Sequence, residues 1–161
     1  MSEVWKPSVT VAAIVERQGR FLMVEEQSGG AIRINQPAGH LEPGESLLDA
    51  VVREALEESA RHFTPTALVG TYLSRNVSSS RGGMSVTYLR FAFAGEVGEA
   101  LDRPLDDGIL RTVWMTRDEL AACSERHRSP LVLRCVDDWL RGQRAPLELV
   151  HADPSAIGKV D

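Results

Sequence analysis

Between Gly39 and Ala60 the chain reads GHLEPGESLLDAVVREALEESA, and Arg53, Glu54, Glu57 and Glu58 crowd toward its end. On a helix turning about 100° per residue, with Arg53 set at zero, Glu57 lies near 40°, Glu54 near 100° and Glu58 near 140°. The three carboxylates share one side, and Leu48, Val51, Val52, Ala55 and Leu56 form an apolar stripe opposite. Glutamates at helical-neighbour spacing repel by a few tenths of a kcal/mol per pair, about as much as Arg53 regains from Glu57. They also lie in the C-terminal half, where the macrodipole disfavours anions. A divalent cation reverses that balance, because hard cations take oxygen ligands from a few carboxylates and from substrate phosphates. A solvated acidic face is the alternative.

The elements that must position this helix are legible around it. Ser46 and Asp49 form a capping box that starts it at about Ser46, and Thr64-Pro65 is placed just beyond its end. Val9 to Val15 and the RFLMVEE that follows Gln18-Gly19 predict a hairpin, with one strand buried on both faces. Ile32 to Gln36 predicts a short strand stopping at Pro37. Ala67 to Arg75 and Val86 to Ala94 predict two long antiparallel strands joined by the polar loop Ser78 to Gly83. After a turn-rich stretch, Glu96 to Gly108, comes a strand over Leu110 to Trp114, then a helix capped by Thr116 and Glu119. A last helix begins at Ser129-Pro130 and stops at Gly142. This order predicts the α/β (α+β) class, a mixed sheet with helices packed on it.

The chain has 161 residues, 43% hydrophobic and 25% charged, as suits one domain over 1–161. A net charge of -5 supplies no basic field for nucleic acid, and no apolar run is long enough for a membrane helix. The start, MSEVWKPSVT, lacks a leader pattern, so a cytoplasmic protein is expected. Cys123 and Cys135 are read as core thiols, not as a zinc motif. Gly44 is followed by Glu45-Ser46 and not by the Lys-Ser/Thr of a P-loop, and there is no serine-hydrolase elbow, zinc helix or EF-hand.

Gly39, Glu45, Arg53-Glu54 and Glu57-Glu58 stand at spacings that resemble the Nudix box, the signature of hydrolases cleaving a diphosphate linked to another moiety. The resemblance implies a Nudix-type α/β/α sandwich with a mixed central sheet. It implies Glu54, Glu57 and Glu58 as metal ligands with the Gly39 carbonyl, and Glu57 or Glu58 as activators of water. Arg53 is implied to orient a glutamate and Glu45 to brace the loop. Magnesium is the implied cofactor, with manganese as a substitute. The usual glycine after the Glu-Glu pair is Ala60 here, the next, usually apolar, position is Arg61, and Ala55 is smaller than usual. Ala60 predicts a helix that runs on or ends without a glycine cap.

WKPSVTVAAIVE, RINQPAGHLEPGESL and RSPLVLRCVDDWLRGQRAPLELV resemble the phosphatase NudJ branch of that family, with Asn35 to His40 in place of the Pro-Gly-Gly of other branches. That branch implies release of orthophosphate from nucleoside di- and triphosphates and thiamine-related diphosphates, including hydroxymethylpyrimidine diphosphate. A pyrophosphohydrolase of ADP-ribose or a nucleotide sugar, and a silent nucleotide sensor, are the alternatives. Asp106 and Asp107 are candidates for an accessory acid, against a plain Asp-Asp-Gly turn. His40, Arg75, Arg81, Arg90 and Tyr88 are candidates to meet substrate, and Tyr72 and Trp114 could stack on a base. His62, His127 and His151 are given surface or structural roles. A monomer is preferred.

Overall fold

The structure, a computed structural model, describes residues 2–77 and 82–160. Val11 to Val15 are each at most 2% exposed. An apolar run this deeply buried needs cover on both faces, and β1 (Ser8–Ile14) obtains it as an inner strand. Its neighbours are β5 (Ala38–His40), antiparallel, and β7 (Ser85–Val97), parallel, and β6 (Phe63–Val77) pairs with β7 in turn. Val11, Ala13 and Val15 point into a core shared with Val51 and Ala55 of α1 (Leu47–Ser59). Ile14 joins a second core with Val132, Cys135 and Val136 of α3 (Leu131–Leu140). Helices therefore cover both faces of a mixed sheet.

A second sheet is antiparallel throughout: β2 (Glu16–Arg17), β3 (Arg20–Ser28) and β4 (Ala31–Asn35), with β8 (Ile109–Met115) on the other side of β3. The predicted hairpin of residues 9–15 with RFLMVEE does not form as such. Its turn exists, with Gln18 and Gly19 both at positive φ, but only β2 pairs with β3 across it. β1 departs to the other sheet, where both of its apolar faces are covered.

Ser46 caps α1 through its side chain and Asp49, as its residues predict. The helix ends at Ser59 with Ala60 left-handed, φ 57°, so the exit is made without glycine. Pro65 falls inside β6, not in a break before it; the register shifts between Pro65 and Ala67, which accommodates a residue with no N–H. The two long strands extend beyond the predicted bounds, and most of their joining loop, with Arg81, lies outside the described residues. Thr116 and Glu119 cap α2 (Arg117–Ala122) reciprocally. At the start of α3, Pro130 is already helical and the Ser129 hydroxyl accepts from the Leu131 N–H at 3.2 Å.

α3 is tied to β6 by Asp138, fully buried, whose carboxylate accepts from the Tyr72 hydroxyl at 2.7 Å and from Arg134 and Arg141. Beyond Gly142 the chain crosses back to pair Ala145 with Leu68, and the Gly158 N–H donates to the Gly44 carbonyl at 2.9 Å. Both cysteines are free. No helix among the described residues is long and apolar enough to cross a membrane.

Candidate active site

Strand register assembles the site. Thr10 stands opposite His40 on β5 and Arg90 on β7, so these three share one face of the sheet. Tyr88, two residues along β7, shares that face with Ser74 opposite it. They border a cleft of about 390 Å³ whose other walls include Asn35, Gly39, Glu54 and Glu58.

Arg90 forms the floor and is 6% exposed. A guanidinium this deep needs hydrogen-bonding partners to offset its lost hydration. Its Nη1 donates to the Gln36 side-chain oxygen and its Nη2 to that of Asn35, both at 3.0 Å. Gln36 is itself buried and donates to the Val132 carbonyl at 2.7 Å, tying the floor to the first turn of α3. Asn35 and Gln36 thus hold a cation with neutral oxygens, and among the described residues no carboxylate pairs with it in a salt bridge.

The opposite wall is acidic. Glu54 and Glu58 are each 8% exposed, although a helix side of carboxylates would ordinarily face water. Gly39 explains how Glu54 fits, because a Cβ at that position would lie 2.1 Å from the Glu54 carboxyl carbon. Glu58 accepts from the Ala38 N–H at 3.0 Å. Burial pushes the Glu58 carboxyl up to about 9 against that hydrogen bond, and burial also raises Glu54 against its pairing with Arg53.

Arg53 is the hub beside this wall. It donates from Nε and Nη2 to Glu45, from Nη2 to the His40 carbonyl, and from Nη1 to Glu54 and Glu57 at 2.8 and 3.1 Å. Those hydrogen bonds hold Glu45 below the usual carboxylate range. Glu45 also accepts from the Glu42 N–H, so loop and helix are joined through one carboxylate. Glu57 does not border the cleft and is partly exposed, paired with Arg53.

Of the remaining candidates, Asp106 lies close enough to place negative potential on Glu54 and Glu58, and its N–H donates to the Glu57 carbonyl. Asp106 and Asp107 are exposed in a turn closed by the Ile109 N–H onto the Asp106 carbonyl, with Gly108 at φ 86°. His40 and Tyr88 meet as a tilted ring pair at the cleft, 6.2 Å apart. Arg75 is exposed on β6 and outside the cleft lining; also outside that lining are the partly buried Tyr72, engaged with Asp138, and Trp114, beneath Arg17 and Arg61. His127 is structural, its ring against the Leu120 carbonyl at 2.9 Å.

Several cleft residues escape the sequence reading, the charged Glu26, Glu42 and Arg128 among them. Glu25 and Glu26 form one acidic pair in the sequence, but successive strand side chains face opposite ways. Glu25 turns to Arg111 and Arg126, and Glu26 turns to Arg128 and the cleft. Only the packing of residues 126–129 beside β4 brings Arg128 there, and no local pattern announces that.

Among the described residues no three His, Cys, Asp or Glu side chains converge closely enough to hold an ion unaided. The donor set still suits a hard cation. Two desolvated carboxylates are available, Glu54 against the side-chain-less Gly39 and Glu58 on the Ala38 N–H, and a hydrated ion completes its shell with substrate oxygens.

A family model described as the NUDIX domain matches residues 4–135. The chain is 36% identical over 147 residues to phosphatase NudJ of Escherichia coli strain K12 and of Shigella flexneri, covering 91% of this chain and 92% of each relative. A solved NUDIX hydrolase from Nitrosomonas europaea superposes with a TM-score of 0.85 at 46% identity, over 92% of this chain and 99% of that one. With its mixed α/β fold and acidic cleft, the chain belongs to the Nudix family, as a hydrolase of phosphorus-containing anhydrides.

Proposed function

We propose that the protein is a magnesium-dependent phosphatase, releasing orthophosphate from nucleoside di- and triphosphates and from thiamine-related diphosphates such as hydroxymethylpyrimidine diphosphate. The observation that carries this reading is the pairing of a buried carboxylate wall, Glu54 and Glu58, with a buried guanidinium floor, Arg90, across one cleft. Such a cleft offers cation sites and an anion site to the same small molecule. The similarity to phosphatase NudJ over nearly the whole chain supports orthophosphate release over cleavage between two phosphomonoesters.

In this reading Glu54, Glu58 and the Gly39 carbonyl, which line the cleft, would hold the cation, and Glu57, outside that lining and paired with Arg53, would join them. Bound magnesium lowers the pKa of water and offsets charge on the phosphoryl oxygens. Glu57 or Glu58 accepts the proton of the attacking water. Arg53 and Glu45 are positioning residues: one orients the glutamates and the other fixes loop to helix. Arg90 binds phosphate at the floor, and His40 and Tyr88 flank the organic part at the mouth. Asp106 adds negative potential that favours the cation.

The test is phosphorus NMR of products from thiamine diphosphate, ADP, ATP and ADP-ribose with magnesium, comparing wild type with Glu58→Gln. Magnesium-dependent orthophosphate from the first three, lowered at least about 100-fold in the variant, is the expected result. Two phosphomonoesters from ADP-ribose, with no orthophosphate from the others, would replace the reading by a pyrophosphohydrolase.

A further inference from the structure

The phosphatase reading leaves Glu26 and Arg128 without a task, although both border the cleft. The main chain at Arg128 is fixed, because its N–H donates to the Ile34 carbonyl of β4 at 2.8 Å and His127 bridges the same residue. Its side chain is much freer, 44% exposed, and reaches Glu26 at 3.2 Å from Nε to Oε1. That contact misses hydrogen-bond geometry: Glu26 Oε1 is buried and has no hydrogen-bond partner among the described residues. Glu25, on the other face of the same strand, shows what a settled pair looks like, since Arg111 and Arg126 both donate to it in good geometry. The Glu26 to Arg128 pair is a loose association held by charge, between a half-exposed guanidinium and a largely buried carboxylate.

Among the described residues, an incoming diphosphate meets four carboxylates around this cleft, Glu26, Glu42, Glu54 and Glu58, and two guanidiniums. Arg90 is locked to the floor by Asn35 and Gln36 and cannot follow a second phosphate. Arg128 can, because its anchor is rigid and its head is not. A guanidinium prefers a doubly charged phosphate, with two oxygens for its fork, to a carboxylate offering one badly aligned oxygen.

We propose that Arg128 is a phosphate-binding residue that rests on Glu26 in the empty cleft, so that Glu26 competes with substrate for it and the pair sets substrate affinity. This rests on the reading of the cleft as a site for phosphate anhydrides. On binding, the guanidinium exchanges the Glu26 carboxylate for phosphate oxygens without any covalent change. The two residues then act on affinity in opposite directions, which a structural salt bridge does not.

Steady-state kinetics with magnesium, on the fastest of the four substrates above, tests this in wild type, Arg128→Gln, Arg128→Lys and Glu26→Gln. Arg128→Gln is expected to raise KM roughly tenfold with far less change in kcat, the lysine variant to recover part of the loss, and Glu26→Gln to lower KM about threefold. KM within twofold of wild type in Arg128→Gln overturns the proposal. So do Arg128→Gln and Glu26→Gln shifting KM in the same direction with equal losses of Tm, the result of a merely structural pair. If wild type turns over none of the substrates, calorimetric titration with ADP and with inorganic pyrophosphate, in magnesium, separates the two failures. Weaker binding by Arg128→Gln keeps the inference while the phosphatase reading falls; equal binding, or none by wild type, overturns it.

Discussion

Glu58 carries the sharpest consequence at the level of single residues. Its carboxyl is raised to about 9 from 4.5 by burial, and Glu54 and Glu26 shift in the same direction for the same reason. Between those pH values the folded protein holds protons that the unfolded chain has released, so stability without metal falls as pH rises from about 4.5 to 9. Glu25 and Glu45, shifted downward by their arginines, act in the opposite sense, and their contribution is lost only as pH falls below the ordinary carboxylate range. Thermal melting in a chelator should therefore show Tm declining from pH 5.5 to pH 8.5. Magnesium, which favours the ionised carboxylates, should raise Tm more at pH 8.5 than at 5.5, and Glu58→Gln should flatten both trends. A Tm in chelator that rises across this range would contradict the burial argument. The glutamates were visible in the sequence because charge crowding on a helix shows at local spacing. Glu26 and Arg128 were not, since each is ordinary in its own stretch and they meet only through the packing of 126–129 on β4.

Elements show the same division between local and distant information. Both predicted capping boxes form, because a capping box is a contact between residues three apart. The exit of α1 follows as well: Ala60 occupies the left-handed conformation that glycine adopts without steric cost. Ala60→Gly should stabilise the protein by about 0.5–1 kcal/mol, read as a higher urea midpoint at unchanged slope; an equal or lower midpoint would mean that the buried Cβ outweighs the backbone strain. The hairpin expectation failed for the complementary reason. Gln18-Gly19 does specify a turn, but a turn fixes only adjacent residues, and the parallel partner of β1 is about eighty residues further on. Asn35-Gln36 shows a middle case. The pair was distinctive in the sequence, but its task, gripping Arg90, required both sheet register and α3.

The molecule as a whole is closed by its C-terminal segment, which ties residues far apart in the chain. Gly158 donates to the carbonyl of Gly44, and a Cβ at Gly44, whose φ is 82°, would lie 2.0 Å from the Gly158 carbonyl oxygen. Gly44 belongs to the loop that Glu45 braces against α1, so the tail packs on the support of the acidic wall. Gly44→Ala should cost about 1–2 kcal/mol, from backbone strain together with displacement of the tail. Faster hydrogen exchange at the Gly158 amide would report that displacement, and unchanged exchange there would show the tail held by other contacts.

The parallel pairing of β1 with β7 also decides when the cleft can come into being. During synthesis VTVAAIV emerges first, yet its β7 partner is complete only after Ala94 has been made. Until then a strand apolar on both faces has one neighbour at most, and it is the part of the nascent chain most in need of shielding. Thr10, Arg90 and His40 fall into one row only once that pairing closes. The floor is therefore added only with β7, and a chain interrupted before it has the acidic helix without Arg90.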